Sequence, residues 1–242
     1  MRIESEVKYV GKCLLLTNDN ERILVIGDLH LGYEESLNKA GIMVSRRMFK
    51  EIISELDRTF NFVGGNVNKI ILLGDVKHNF GGILMQEWND VLGLMDYLSK
   101  KCERIIIVRG NHDNILKPIL RKRGLKMHNY YFWKDFCFLH GHEDFEAIWK
   151  KKGIGYLVVG HGHPALRLKE GVRSEKYKCF LTGRFRGKKM IIVPSFSEWY
   201  AGSDPREGEI ILAWRINFEN FEAGVVGERF EILNFGKLER IK

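Results

Sequence analysis

The sequence predicts an α/β protein in which two β-sheets pack together as one domain, with helices on the outside. Five short apolar runs rich in β-branched residues each lead into glycine and polar residues, which is typical of buried strands. Helical periodicity separates the first three runs, and this alternation favours a largely parallel sheet. After Pro164 the pattern changes to strands and turns, which predicts a second, partly antiparallel sheet. Since 242 residues contain no proline-rich or low-complexity linker, we expect a single domain over residues 1–242.

The five apolar runs define the strands that we expect to carry the function. Strands covered on both faces are continuously apolar, and in α/β sheets ligands bind beyond the carboxyl ends of such strands. The polar clusters that follow the runs are therefore expected to converge. The runs are ILVIGDLH from Ile23, IILLGDVKH from Ile70, IIIVRGNHD from Ile105, FCFLHGH from Phe136 and YLVVGHGH from Tyr156.

Four helices are predicted from apolar side chains at helical spacing. The first covers residues 45–60, with Ser45 as its N-cap, and the second covers about residues 84–101. A shorter helix follows Asp113, and a fourth runs from about residue 143 to 152.

Beyond Pro164 the predicted strands are LRLKEG, KCFLTG, KKMIIVPSF, EIILAW and RFEIL. The segment SEWYAGSDPREGE, which contains Trp199 and Tyr200, follows the third of them. It is rich in turn residues, and two interpretations stay open: it borders the substrate, or it forms a packed aromatic turn.

The composition excludes several classes of protein. With 45% apolar residues and four prolines, the chain is neither disordered nor collagen-like. Its apolar runs are far shorter than the roughly 18 residues of a membrane span, and its first residues are too polar for a signal peptide. We therefore expect a cytoplasmic protein. The four cysteines form no CxxC pair and are expected to be reduced thiols.

The chain is basic, with 39 Lys and Arg residues against 31 Asp and Glu residues and a net charge of +8. Two interpretations stay open, a polyanionic partner such as nucleic acid or the Lys-rich surface of a heat-adapted protein. Basic residues cluster in residues 117–126, 150–152 and 184–189. Phe185 lies within the last cluster, where it could stack a base. Plain solvated surface is the alternative for each cluster.

The histidines are concentrated at the ends of the predicted strands, and of the eight only His128 lies elsewhere. A single histidine is more often structural than a ligand, but convergence at one edge favours a metal site. In DLH, Asp28 and His30 are two residues apart in an extended segment, so both side chains can hold one ion. The two histidines of GHGH, His161 and His163, have the same spacing and are again expected to share one face. The seven histidines at strand ends are His30, His78, His112, His140, His142, His161 and His163.

Five motifs, DLH, GD, GNHD, HGH and GHGH, follow one another over residues 28–163. In this order they resemble the motifs of the calcineurin-like metallophosphoesterases. Within that superfamily the DLHLGYE start, GDVKH and HGH are most similar to the small phosphoesterases related to the SbcD nuclease, including archaeal members and the bacterial DNA ligase-associated phosphoesterases. The resemblance implies a four-layer α/β/β/α sandwich, in which two mixed β-sheets are flanked by helices.

The resemblance also implies two divalent metal ions with one bridging carboxylate. Nitrogen and oxygen donors without cysteine suit Mn, Fe, Co, Ni or Zn, of which we expect Mn first. The implied ligands are Asp28, His30, Asp75 and His163 for one ion, and Asp75, Asn111, His140 and His161 for the other.

Further residues are implied around these ligands. His112 matches the family's catalytic histidine, which contacts the substrate phosphate and protonates or stabilises the leaving oxygen. For Asp113 two interpretations stay open: orientation of its neighbours, or a solvated turn or helix cap. His78 and His142 match none of the seven ligands, so they either support the ligands, contact the substrate or make only structural hydrogen bonds.

The expected function is that of a phosphodiesterase or nuclease acting on DNA, RNA or nucleotides. Metal binding lowers the pKa of water from about 15.7 towards 7, so metal-bound hydroxide is the expected nucleophile. Nuclease relatives carry a capping region for which 242 residues leave little room, so simple diesters or single strands are the expected substrates. The alternatives are a phosphomonoesterase acting on small phosphate esters and a non-enzymatic scaffold. No membrane partner is expected, and the oligomeric state stays open.

Overall fold

The computed structural model describes residues 6–18, 20–82 and 84–241 and contains two β-sheets. The first sheet has six strands in the order β1-β2-β3-β4-β5-β6. Neighbours from β3 to β6 run parallel, and β1 and β2 extend the sheet antiparallel. The strands are β1 (Glu6–Val10), β2 (Cys13–Thr17), β3 (Arg22–Ile26), β4 (Val67–Leu72), β5 (Cys102–Val108) and β6 (Met127–His128).

The second sheet has eight strands, ordered β14-β13-β11-β12-β9-β8-β7, with β10 paired to β11. Its centre is parallel, since β8 pairs with β9 and β9 with β12, and its remaining pairs are antiparallel. The strands are β7 (Tyr130–Trp133), β8 (Phe136–Leu139), β9 (Tyr156–Val159), β10 (Ala165–Glu170), β11 (Arg173–Phe185), β12 (Lys188–Ile192), β13 (Glu222–Val226) and β14 (Ile232–Lys237).

Five α-helices accompany the sheets in the part of the chain that the structure describes. Within the described residues, every helix is too short or too polar to span a bilayer. The helices are α1 (Tyr33–Lys39), α2 (Met48–Phe62), α3 (Met85–Leu98), α4 (Lys117–Arg121) and α5 (Glu146–Lys150).

The two sheets stack face to face, and helices cover their outer faces. Side chains alternate between the two faces of a strand. In β3, Leu24 packs towards α2 and α3, whereas Val25 enters the apolar layer between the sheets. In β8, Phe138 enters the same layer from the other side, and Leu139 packs outward with Ile148 of α5. The layers are therefore helix, sheet, sheet and helix, which confirms the predicted four-layer α/β/β/α sandwich.

The five predicted strands that precede the polar motifs are confirmed as β3, β4, β5, β8 and β9. The second sheet, however, begins at Tyr130 and not after Pro164, because β8 and β9 pair with each other and with β12. The motif strands therefore come from both sheets. The four cysteines form no disulfide with one another in the structure.

The prediction of Ser45 as a helix N-cap was wrong. Helix α2 begins at Met48, and Arg47 is its N-cap residue. The buried Glu34 of α1, a helix that the sequence did not predict, supplies the acceptor instead. Its Oε2 accepts hydrogen bonds from the backbone N–H groups of Arg47 at 2.7 Å and Met48 at 3.0 Å. A carboxylate at this position also stabilises the positive end of the helix dipole.

The predicted strand EIILAW was also wrong. Residues 209–214 form no strand, because their apolar side chains cover the outer face of the second sheet instead of pairing with an edge strand. Trp214 is buried there, and Ile210 and Leu212 pack beside it. The predicted RFEIL strand begins later than expected, at Ile232.

Candidate metal centre

Five strands deliver the predicted site residues to one place, where the carboxyl ends of strands from both sheets meet. Close packing at this edge requires glycine: a Cβ at Gly74 would lie 2.7 Å from Nδ1 of His140, and one at Gly110 would collide with the Asp75 carboxylate. Asp28 and His30 follow β3, Asp75 follows β4, Asn111 and His112 follow β5, His140 follows β8, and His161 and His163 follow β9.

A first group consists of Asp28, His30 and His163, whose donor atoms lie within 4.8 Å of one another. The two imidazole Nε2 atoms are 3.3 Å apart, and His163 Nε2 lies 3.1 Å from Oδ1 of Asp28. His30 Nε2 is 3.8 Å from Oδ2 of Asp75. Two ring nitrogens and carboxylate oxygens therefore face a common centre.

A second group consists of Asp75, His140 and His161. His140 donates from Nδ1 to the carbonyl oxygen of Leu73 at 2.7 Å, which leaves Nε2 of the neutral ring as a lone-pair donor. This Nε2 faces Oδ1 of Asn111 at 3.0 Å and Oδ2 of Asp75 at 3.4 Å. Asp75 contacts both groups, which is the position that a bridging ligand requires.

The chemistry of these donors fits divalent cations. Electron pairs of nitrogen and oxygen converge in both groups, and without a cation between them they repel one another. Two carboxylates among neutral imidazoles and an amide suit borderline transition metals such as Mn, Fe, Co, Ni and Zn. The Leu73 carbonyl that orients His140 is the kind of supporting hydrogen bond that fixes a metal-binding imidazole.

The protonation states follow from burial and mutual charge. Burial disfavours the charged form of His140, but Asp75 and Asp28 outweigh it and raise its pKa to about 9. Burial alone would raise the pKa of Asp75, yet His140 and His30 hold that pKa well below its usual range. Burial, together with the charge of His140, lowers the pKa of His161 to about 4. At neutral pH, Asp75 is thus charged and His161 neutral, and a metal ion would replace the proton on His140.

The expectation of an extended backbone at DLH and GHGH was wrong. His30, His161 and His163 have φ angles of 50°, 61° and 42°, in the left-handed region. The GHGH histidines consequently point to different groups: His163 joins Asp28, and His161 joins Asp75.

His112 lies at the edge of the second group. Its backbone N–H donates to Oδ1 of Asp75 at 2.9 Å, and its ring Nδ1 donates to the carbonyl oxygen of His78. A carbonyl can only accept, so Nδ1 carries the proton and Nε2, 3.7 Å from Oδ2 of Asp75, is the atom available to a substrate. Burial lowers the pKa of His112 despite the opposing charge of Asp75.

The family follows from comparison with known proteins. A family model described as calcineurin-like phosphoesterase matches residues 21–227. The chain belongs to the calcineurin-like phosphoesterase family. This family is dinuclear and metal-dependent, in agreement with the two donor groups. No curated protein sequence matches the chain.

Three solved structures are similar to this calcineurin-like phosphoesterase, and the first of them shares its fold. A crystal structure of the nuclease MPE from Pseudomonas putida is 17% identical, with a TM-score of 0.61 over 95% of this chain and 100% of that chain. The E. coli phosphoesterase YfcE is 15% identical, with a TM-score of 0.40 over 87% of this chain and 96% of that chain. Vps29 from Entamoeba histolytica, solved with zinc, is 16% identical, with a TM-score of 0.40 over 88% and 99% of the two chains.

Asp113 of the phosphoesterase is fully buried, so it is not a solvated turn residue. Its Oδ1 accepts hydrogen bonds from the N–H groups of Val76 at 3.0 Å and Lys77 at 3.4 Å, and its Oδ2 accepts one from Gly110 at 3.0 Å. Burial, reinforced by the charge of Asp75, raises the pKa of Asp113 to about 7. The side chain thereby ties the turn after β4 to the turn after β5.

His78 lies beside His30 of the first group, and His142 lies beside His140 and His161 of the second group. His78 can join His30 and His112 in a third donor group, and its Nδ1 lies 2.7 Å from the hydroxyl of Tyr200. The His142 ring centroid is 5.1 Å from that of His140. Its Nδ1 is buried without a hydrogen-bond partner among the described residues. Burial lowers the pKa of each imidazole to about 4.

Tyr200 borders the site, as one interpretation of its segment predicted. Its ring stacks on His30, with centroids 4.3 Å apart. The Lys178 ammonium holds this segment, with the carbonyl oxygens of Ser195, Ser197 and Tyr200 at 2.9, 2.7 and 2.9 Å. Sequence reasoning missed Lys178, because nothing in the local pattern of β11 marks a lysine that binds carbonyls 17 to 22 positions further on.

The basic cluster around Phe185 lies away from this site. Strand β12 is parallel to β9, and Lys189 pairs with Tyr156 at the start of β9, the end opposite to His161. Arg186 lies over the ring of Trp149 at 4.7 Å. Arg186 also lies over the ring of Phe185 at 5.1 Å, so this cluster and its aromatic residue lie together at the end of the strands opposite to the metal centre.

Proposed function

We propose that this calcineurin-like phosphoesterase hydrolyses phosphodiester bonds of nucleic acids or nucleotides, with two divalent metal ions and Mn²⁺ as the first choice. The observation that carries the proposal is the convergence of two carboxylates, four imidazoles and one amide into two groups that share Asp75. Such a pair of sites, when loaded, supplies an acidified water molecule and positive charge for the phosphoryl oxygens. The ligand roles of these residues belong to the proposal.

The chain's own residues would position and protonate the substrate. Asp75 fixes the backbone of His112, and the carbonyl of His78 fixes its ring, so that Nε2 faces the site. From there a protonated His112 can donate a hydrogen bond to a phosphoryl oxygen or a proton to the leaving oxygen. Asp113 keeps the two turns that carry Asp75 and His112 in register.

The surroundings favour a nucleic acid or a nucleotide over a small aliphatic phosphate ester. The exposed Phe80 and the stacked Tyr200 flank the histidines and give the site aromatic walls that fit a nucleobase. Tyr200 also lines a neighbouring cavity of about 690 Å³. The cavity has five basic side chains against three acidic ones, namely Lys12, Arg58, Lys176, Lys178 and Arg229 against Glu55, Glu198 and Glu228. The nuclease that shares the fold agrees with this proposal but does not carry it.

The test compares bis(p-nitrophenyl) phosphate with p-nitrophenyl phosphate on chelator-stripped protein, with and without Mn²⁺. We expect turnover that depends on Mn²⁺ and favours the diester. His128→Ala, a variant of the one histidine outside the five sequence motifs, is the control and should match the wild type. A preference for the monoester would replace the diesterase with a phosphomonoesterase. Absence of turnover of either substrate with every divalent metal would refute the enzymatic proposals and leave the non-enzymatic scaffold.

A further inference from the structure

We propose that Phe80 is a specificity-determining residue, a stacking platform for a nucleobase attached to the phosphate that the metal centre cleaves. The inference rests on the proposed function and adds the part of the substrate that is recognised beside the phosphate. Phe80 lies in the loop between β4 and α3, next to the GDVKH motif.

Phe80 is an exposed aromatic side chain in direct contact with a site residue. Its ring centroid lies 3.6 Å from that of His112, with an angle of 33° between the planes. It nevertheless exposes 55% of its surface. A Cβ built at Gly81 or Gly82 would meet no described atom within 4 Å, so the loop faces open space. A flat group bound next to His112 can therefore cover the Phe80 ring.

The loop that carries Phe80 is held in place by buried charges. Lys77 exposes none of its surface, and its ammonium donates to the carbonyl oxygens of Asn79 and, at 3.5 Å, of Gly82. The fully buried Glu87 accepts the N–H of Asn79 at 2.6 Å and of Leu84 at 3.0 Å. These bonds anchor the loop on both sides of Phe80. An aromatic ring on an anchored loop binds a flat ligand at a lower entropic cost than a mobile one.

The contact with His112 places the platform on the side of the substrate that this histidine serves. A base attached to the sugar on either side of the phosphate can reach a ring so close to the reacting group. Stacking on an aromatic ring accepts every base, because each has a π-face, so the platform selects nucleotides without selecting a sequence. The net charge of +8 is in keeping with such a polyanionic substrate.

The experiment compares thymidylyl-thymidine with two analogues that each lack one base but keep the sugar and the phosphate. The leaving oxygen is then the same in all three substrates. For the Mn²⁺-loaded wild type, we expect kcat/KM to fall roughly 5- to 150-fold when the stacked base is missing, the range of base-aromatic stacking. Phe80→Ala should lose this preference: it should hydrolyse the dinucleotide and the analogue that keeps the stacked base as slowly as the wild type hydrolyses the analogue without that base. Phe80→Trp should retain the preference.

Phe62→Ala is the matched control. Phe62 exposes 58% of its surface and stacks on Phe230, away from the metal centre, so its removal should leave the preference intact. An equal loss for all three substrates in Phe80→Ala would overturn the platform, because Phe80 would then only support His112. A wild-type preference retained in Phe80→Ala would overturn it as well.

A binding measurement separates this inference from the proposed function. Calorimetric titration with thymidine 5′-monophosphate and with 2-deoxyribose 5-phosphate gives a ratio of dissociation constants even if no diester is hydrolysed. If the wild type prefers thymidine 5′-monophosphate and Phe80→Ala loses this preference, the stacking role of Phe80 is supported even where no diester is hydrolysed. Equal binding of the two ligands by the wild type would refute the stacking role of Phe80 and would leave the proposed diesterase activity unaffected.

Discussion

Replacing Lys178 by Met should destabilise the protein and displace Tyr200 from the metal centre. The ammonium lies within 3 Å of three carbonyl oxygens and of Ser195 Oγ at 2.6 Å. Ser195 and Ser197 are buried, each with 1% of its surface exposed, so two of these carbonyls lose their donor where water has little access. A buried polar group left without a partner costs about 1–3 kcal/mol. Since Lys178 itself is partly buried, we expect the lower half of the summed range, about 2–4 kcal/mol.

For a chain of this length, about 1 kcal/mol corresponds to roughly 2–4 °C in Tm, so Lys178→Met should lower Tm by about 4–16 °C. Loss of the Tyr200 carbonyl anchor should also shift the ring that stacks on His30. A misplacement of about 1 Å can cost up to roughly 100-fold in rate. The assay is thermal unfolding followed by circular dichroism, together with Mn²⁺-dependent turnover.

Lys188→Met is the control for this experiment. Its ammonium donates to one carbonyl, that of Ile154 at 2.7 Å, at the start of β12 and so at the end of this strand opposite to the metal centre. This variant should lose about 1–2 kcal/mol and keep full turnover. If Lys178→Met unfolds at the same temperature as Lys188→Met and retains wild-type activity, Lys178 does not order the segment that carries Tyr200.

Other predictions concern the metal centre and helix α2. His112→Ala should retain bound metal and lose about 10²- to 10⁴-fold in rate, whereas Asp75→Asn should reduce metal occupancy at both groups; metal analysis and kinetics separate the two effects. Asp75 and Asp28 raise the pKa of His140 to about 9, and a metal ion must displace the proton that His140 carries below this pH, so Mn²⁺ affinity should fall about tenfold per pH unit as pH drops below 9. Calorimetric titration that gave equal affinities at pH 8 and pH 6 would contradict this. Glu34→Ala should cost about 1–3 kcal/mol of the free energy of unfolding in urea, whereas Ser45→Ala should cost nothing, since Glu34 and not Ser45 caps α2. Equal effects of the two substitutions would restore Ser45 as the cap.

The strands and the converging side chains were predictable because both leave local signals. A strand covered on both faces must be continuously apolar, so the runs from Ile70 and Ile105 stand out. Parallel strands carry their functional residues at their carboxyl ends, and this rule alone places Asp75 near Asn111. Neither rule says which sheet a strand joins. The pairing of β9 with β12 depends on residues more than 30 positions apart, and for that reason the predicted boundary between the two sheets was wrong.

The supports of the site were not predictable for a related reason. Glu34, Lys77 and Lys178 each bind backbone groups with a charged side chain that local periodicity assigns to the surface. Their partners are fixed only when the chain has folded. The carboxylate of Glu34 belongs to another helix and lies 13 and 14 residues before the backbone N–H groups that it caps. Ser45, by contrast, is a common N-cap residue type and lies close to the start of α2 in the sequence. Residue type alone therefore predicted the wrong cap.

The backbone conformation of the site ties its geometry to the packing of the two sheets. Four residues of the site have φ angles between 42° and 61°, in the left-handed region: His30, Asp75, His161 and His163. This conformation costs about 1–2 kcal/mol for each residue other than glycine. Such a conformation persists only where its surroundings enforce it. The N–H of His30 donates to the carbonyl of Asp75 at 2.8 Å, which joins two turns of the first sheet. The N–H of His161 donates to the Asp28 carboxylate at 3.2 Å, which joins the second sheet to the first. Because His30 and His161 are each held by a residue that follows another strand, we expect the donor groups to keep their geometry only while the sheets are packed. A substitution that loosens the layer between the sheets should therefore disturb the metal centre before it unfolds the chain.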